Sequence, residues 1–357
     1  MSTRYEVGPL PLDTSPDQQP FAVAAELRRA GQQMWTSAII EAAAELRLAD
    51  LIDEEPAGYR EVAVKAGADP DAMLRLLRAL AAHGIFAPAG ADAFVHTPAS
   101  RMLRTQEPGS VLNLSLLGAA QWNWAIWSRL TDSVRTGTPV FPALFGKDLY
   151  RYFAEDNPRA GAIFNRAMAE SGQWTSGPIA HALDLTGAGV VADIGGGHGG
   201  LLRLLLERHP HVVGILVDSA SVLAQADPEL SGGELAGRSA LVPADIRESV
   251  PAVADVYVLR QVMHIWTDEE CVRILRNVAA AARPGARIVL AEHVMADDGQ
   301  RDSTYTTLID LQMMLLGLGR ERTGSEFAAL MQAAGLEFSG TTPLSAPLQL
   351  VEGRAPR

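Results

Sequence analysis

The 357-residue chain is 48% hydrophobic and carries a formal net charge of −12. That length predicts two or three domains with a full core, and the acidic balance opposes a protein built to neutralise a nucleic-acid backbone. A single cysteine, Cys271, excludes an internal disulfide and a multi-cysteine metal cluster, which predicts a buried thiol in a reducing, cytoplasmic setting.

Residues 1–20 contain Pro9, Pro11, Pro16 and Pro20 and lack the apolar core of a signal peptide, so a disordered leader is expected. No stretch is apolar and uncharged for long enough to cross a bilayer, and no membrane partner is expected. From Phe21 to about Leu51 the apolar residues recur at helical spacing in an alanine-rich background, which predicts one or two helices. "REVAVKAGADPDAMLRLLRALAAHGIF" predicts a short helix, a turn at Ala68 to Asp71 and a second helix closing at Gly84. With the turn-rich "APAGADAFVHTPASRML" after it, the segment from about Arg60 to Leu103 reads as a winged helix within a domain over 21–110. Arg75 and Arg78 on the second helix sit among Asp69, Asp71, Glu54 and Glu55. Without a basic stripe, packing or dimerisation is the expected role and nucleic-acid binding is not. The apolar face of Met73, Leu74, Leu76, Leu77 and Leu80 requires a cover.

Residues 111–185 read as helical, with an aromatic group that includes Trp122, Trp124, Trp127, Phe141 and Phe153. Core packing is the plain reading of such a group, and a share in an acceptor pocket is the sharper one. After Gly189 strands alternate with helices and are apolar on both faces, so residues 186–357 predict an α/β, doubly wound, mainly parallel sheet. Ligands of such sheets sit beyond the carboxyl ends of the strands, near the switch point.

The first of these strands ends in "VVADIGGGHGG", where Gly195, Gly197 and Gly200 match the spacing of a dinucleotide loop. Asp193, just before those glycines, sets an unfavourable negative charge beside any pyrophosphate. A cationic, phosphate-free cofactor such as S-adenosylmethionine suits it better than NAD. Asp218 ends the next strand, placed for the two ribose hydroxyls that either cofactor presents. Asp245 ends the third, placed for an adenine amino group with Ile246 over the ring. Each acid alone could be a cap or turn residue; three at successive strand ends form a constellation.

"LRQVMHIWTDEEC" places His264 past the fourth strand, before a helix capped by Thr267 or Asp268. A histidine there can take a proton from an acceptor hydroxyl near neutral pH. Its second ring nitrogen needs a carboxylate to fix the tautomer. Glu292, at the end of the adjacent strand, is the preferred partner and Glu321 the other candidate. A metal site from His264, His293 and Glu292 is set aside, because neighbouring strand residues point to opposite faces.

These motifs resemble the small-molecule O-methyltransferases of the caffeic acid O-methyltransferase type, including bacterial natural-product members, from about Phe21 to Glu352. The resemblance implies a winged-helix region that forms an intertwined homodimer and a Rossmann-like domain that binds S-adenosylmethionine. It implies cofactor contacts from the glycine loop, Asp218, Asp245, Ile246, Arg260 and Trp266, and a catalytic His264 flanked by Glu292 and Glu321. "FNRAM" matches an acceptor-pocket helix and implicates Phe164, Asn165 and Met168. Met313 and Met314 complete a pocket suited to a flat aromatic acceptor. "AESGQW" follows "FNRAM" where plant relatives often carry a His-Ser pair. N- or C-methylation, and repurposing to other chemistry, are the alternatives to methyl transfer to oxygen.

Overall fold

The computed structural model describes residues 20–297, 302–344 and 348–357, so the expected leader before Pro20 lies outside the described residues. Pro20 itself opens a helix, a position that needs no amide donor. The described chain forms two compact units, one built from residues 20–125 and 150–171, the other from 126–149 and 172–357.

In the first unit, three helices rather than one or two fill the alanine-rich start: Pro20–Gly31, Gln33–Glu45 and Leu48–Leu51. The helices Tyr59–Ala66 and Pro70–Ala82 flank the predicted turn, and Asp69 caps the second by accepting from the Ala72 amide at 2.8 Å. Strands β1 (Ala57–Gly58), β2 (Phe86–Pro88) and β3 (Ala93–His96) form a small antiparallel sheet in the order β1-β3-β2, which is the wing. The apolar face of the second helix finds its cover within this unit: Met73, Leu77 and Leu80 are buried with Leu48, Ile52 and Phe86. Trp122 packs edge-on against Phe153 at 5.5 Å, and both are buried, so this part of the aromatic group is core.

The second unit is the doubly wound sheet. Its strands are β4 (Val190–Ile194), β5 (Val213–Asp218), β6 (Ser239–Pro243), β7 (Val256–Arg260), β8 (Arg287–Met295), β9 (Arg322–Thr323), β10 (Glu337–Pro343) and β11 (Leu348–Arg354). The order β10-β11-β8-β7-β4-β5-β6 is parallel from β8 to β6 and antiparallel at β11 and β10, while β9 pairs with the end of β8. The chain reverses its direction of growth between β4 and β7, which is the switch point. Alternation sorts the strand residues between two cores. Tyr257, Leu259, Ile288 and Leu290 face the helices Asp268–Ala281 and Gly324–Ala333, whereas Val191, Val258 and Val289 face the helix Gly200–Arg208. The sheet is thus buried on both faces, as a parallel sheet must be. Among the described residues no helix is long and apolar enough to cross a membrane.

Cys271 lies in the first of these cores, fully buried, and its Sγ donates to the Met263 carbonyl at 3.2 Å. Burial pushes the thiol up to about 12. Native protein treated with a disulfide reagent at pH 8 is therefore expected to release no thiolate-derived colour until denaturant is added; a rapid stoichiometric reaction in the folded state would contradict this burial.

Candidate active site

The site assembles at the carboxyl ends of β4, β5, β7 and β8, which the parallel register brings to one edge. The turn after β4 is tight at Gly195, whose φ is +66° and where an added Cβ would meet Val262 Cγ2 at 2.9 Å. Only glycine satisfies both the backbone and the close approach. Gly197 has φ of +62° and open space where a side chain would stand. Its amide donates to Asp218 Oδ2 at 2.9 Å, while the Ser219 amide donates to Oδ1 at 2.7 Å. The acid at the end of β5 is therefore held rigidly against the glycine loop, and each oxygen keeps a lone pair for another donor.

Asp193 is fully buried, and neither carboxylate oxygen has a hydrogen-bond partner among the described residues. Burial raises its pKa to about 6 against the opposing field of Arg260, with Asp218 adding to the rise and the nearby Leu202 amide opposing it. A fully buried acid packed directly beneath Gly196 of the glycine loop fits a cationic group on that loop and opposes a phosphate. Arg260, at the end of β7, donates to Thr175 Oγ1 at 3.0 Å and lies against Gly172, where a Cβ would come within 2.8 Å of its Nη1. Burial lowers its pKa, and Asp193 and then Glu292 act in the opposite sense. The "AESGQW" departure thus supplies a glycine that makes room for this guanidinium.

Asp245 follows β6 and is engaged by Arg247, with Nη2 at 2.7 Å from Oδ2 and Nε at 3.0 Å from Oδ1. The same guanidinium lies 4.7 Å from the Trp266 ring centroid, so Arg247 joins Asp245 to Trp266. Ile246 is buried beside Gly195 and Val262. Arg247 is not among the residues that sequence pattern points to; its place two residues after Asp245 is the available signal.

His264 sits in a 3-10 turn, Met263–Ile265, before the helix that Thr267 caps with a reciprocal bond to Glu270. Its Nδ1 lies 2.7 Å from Glu321 Oε1. The sequence-based preference for Glu292 as this partner is corrected here. Glu292 lies within reach but uses Oε1 to accept from the Val262 and Met263 amides, both at 2.8 Å. Parallel pairing did bring the two strand ends together; the intervening loop simply turns its amides, not the imidazole, toward that oxygen. Glu321 is buried, not a solvated helix-start residue. One donor atom from each of His264, Glu292 and Glu321 lies within 4.8 Å of the other two. His293, one residue on, faces away from Glu292, with its ring 5.4 Å from that of Tyr305.

Burial favours a neutral His264, but the bond to Glu321 and the charges of Glu292 and Glu321 outweigh it and hold the pKa above the ordinary value of 6.5. Burial raises Glu292 to about 7, with His264 opposing and Glu321 reinforcing. Nε2 makes no hydrogen bond among the described residues, and 12% of the His264 side chain stays accessible. An imidazole fixed at one nitrogen and available at the other can accept a proton.

A cavity of about 440 Å³ in this unit is lined in part by Met295, Asp310, Met314, Leu318 and Glu321. Met314 therefore lines the same space as the segment Gly319–Glu321, whereas Met313 does not line it. Phe164, Asn165 and Met168 lie on the helix Pro158–Ala182, in the part belonging to the first unit. There Phe164 packs against Phe153 at 5.3 Å and Tyr150 at 6.3 Å, and Met168 is exposed.

A family model of the O-methyltransferase domain matches residues 127–337, and one of the O-methyltransferase dimerisation domain matches residues 31–106. The chain belongs to the O-methyltransferase family. It is 36% identical to the mitomycin biosynthesis 6-O-methyltransferase of Streptomyces lavendulae over 325 residues, 90% of this chain and 92% of that protein. It is 30% identical to the 8-amino-8-demethylriboflavin N,N-dimethyltransferase of Streptomyces davaonensis, over 95% of this chain and 98% of that one. The crystal structure of an O-methyltransferase from neocarzinostatin biosynthesis, in complex with S-adenosylmethionine and 2-hydroxy-5-methyl naphthoic acid, superposes with a TM-score of 0.75 at 31% identity, covering 90% of this chain and 96% of that one. This methyltransferase therefore uses S-adenosylmethionine, and the cationic character demanded by Asp193 agrees with that cofactor. When bound, the cofactor supplies a methyl group already activated on a sulfonium.

Proposed function

We propose that the enzyme methylates a hydroxyl group of a small aromatic natural product, with His264 as general base. The 2.7 Å bond between His264 Nδ1 and Glu321 carries this reading, because it leaves Nε2 as the proton-accepting atom and steadies the imidazolium once formed. Glu321 is the orienting acid, and Glu292 holds the loop that bears the base. Asp193, Gly195, Gly197 and Arg260 surround the methionyl end of the cofactor, Asp218 accepts from its ribose, and Asp245, Ile246 and Trp266 frame its adenine. Met314 contributes to the acceptor pocket, and residues 31–106 form a homodimer. Aromatic acceptors are favoured by the naphthoic acid bound to the neocarzinostatin relative. The protein's share in the reaction is to hold the hydroxyl in line with the methyl group and to receive its proton.

Methyl transfer to nitrogen is the second reading, favoured by the flavin N,N-dimethyltransferase among the relatives. The deciding experiment offers the enzyme S-adenosylmethionine with a panel of hydroxylated naphthoic, benzoic and quinone acceptors and their amino analogues. Product fragmentation is expected to place the new methyl on oxygen; products formed only from the amino analogues would replace this proposal with the second.

A further inference from the structure

The turn that carries His264 begins with Gln261 in a left-handed conformation, φ +53°, which a side chain adopts at a cost. Something must hold the turn there. Glu292 secures two of its amides, and the carbonyls of Met263 to Trp266 meet one short segment, Gly319 to Arg322. The Arg322 guanidinium, fully buried, donates from Nη1 to the Met263 carbonyl at 2.9 Å and from Nη2 to the Trp266 carbonyl at 2.8 Å. Its Nε is anchored by Asp268 at 2.8 Å. Between these two carbonyls lie those of His264 and Ile265, and they abut Gly319. A Cβ on Gly319 would stand 2.2 Å from the His264 oxygen and 2.6 Å from the Ile265 oxygen. Glu321, inside the same segment, takes the imidazole.

We infer that Gly319 and Arg322 are positioning residues that clamp the His264 backbone, so that one short segment sets both the height of the base and the orientation of its ring. A planar fork is required at position 322, because the two carbonyls flank the turn and a lysine ammonium offers no such geometry. A residue without a side chain is required at 319, because the opposing atoms are backbone and cannot rotate away. Neither residue needs to touch the acceptor for this role.

The inference rests on His264 being the base, so the test separates the two. Arg322→Lys and Gly319→Ala both leave the charge facing His264 from Glu292, Glu321 and position 322 unchanged. In each variant S-adenosylhomocysteine titration should still count one site per chain. Turnover per site should fall by about 10- to 100-fold, the scale of a misplacement near 1 Å, with the acceptor KM moving far less. The acidic limb of the kcat profile should move to lower pH, because a looser Glu321 bond supports the imidazolium less. In 15N-histidine-labelled enzyme the hydrogen-bonded Nδ1 proton of His264 should lose its downfield shift. An unshifted resonance overturns the clamp whatever happens to turnover. A shifted resonance with normal turnover keeps the clamp and overturns His264 as the base. If Arg322→Lys no longer binds the cofactor product, Gly319→Ala alone decides, since it adds a single methyl group.

Discussion

Replacing His264 with alanine is expected to lower kcat by about 10²- to 10⁴-fold, the usual contribution of a positioned base, while S-adenosylhomocysteine binding stays within about twofold of wild type. The argument is geometric. The ring is tied at Nδ1 to Glu321, its backbone is held from both sides, and Nε2 is left for the acceptor. The pH profile supplies a second, independent mark. The base must be neutral to accept a proton, and its pKa is held above 6.5 by Glu321 and Glu292. Activity should therefore rise with pH through a midpoint on the alkaline side of an ordinary histidine. Glu321→Gln, which withdraws the charge but keeps the shape, should move that midpoint down. Turnover in His264→Ala equal to that of wild type across the profile would remove the base from the mechanism and leave catalysis to positioning alone.

Asp193→Asn is expected to act in opposite directions on stability and on cofactor affinity. The carboxyl has a pKa of about 6 in the folded protein against an ordinary 3.8. As pH rises from 3.8, the unfolded chain ionises first, so the apo fold loses stability until about pH 6 and stays at that lower level above it. The difference corresponds to a few kcal/mol, on the order of 3. The amide variant escapes this loss, so apo Asp193→Asn should melt higher than the apo wild type at pH 8, with a smaller gap at pH 4. Its affinity for S-adenosylmethionine at pH 8 should nevertheless fall by about 10- to 100-fold, the cost of losing a charged partner. In the wild type the same affinity should strengthen between pH 5 and 7 as the acid ionises. Calorimetry and thermal melts on one preparation test both halves; unchanged affinity in the variant would detach Asp193 from the cofactor.

Much of this architecture is written in local pattern. β4, β5, β7 and β8 are apolar on both faces because both faces are covered, and the acids at the ends of β4 and β5, Asp193 one residue before the last and Asp218 at the last, announce a polar edge. The winged helix is equally legible, and the helix's apolar face closes on Leu48, Ile52 and Phe86. What escaped the sequence depends on contacts between distant stretches. The partner of His264 is 57 residues away and was confused with Glu292, because strand adjacency fixes where a carboxylate starts but not which donor the next loop turns toward it. The left-handed Gln261, at the start of that loop, carries no sequence mark of the kind glycine does. Arg322 was hidden differently: an arginine beside a glutamate reads as surface charge until the backbone carbonyls it serves are found around it.

The proposed base and its supports are mounted entirely on the unit that carries the glycine loop. The turn follows β7, one support comes from β8 and the other from the segment entering β9. Phe164, Asn165 and Met168 belong to a separate unit, and Leu318 exposes much of its side chain. On the proposed reading, drift at such positions reshapes acceptor recognition and leaves the base and its supports in place. A lineage built this way can inherit its reaction intact and diversify its products, and a designer wishing to change the acceptor should leave 261–266, 292 and 319–322 untouched.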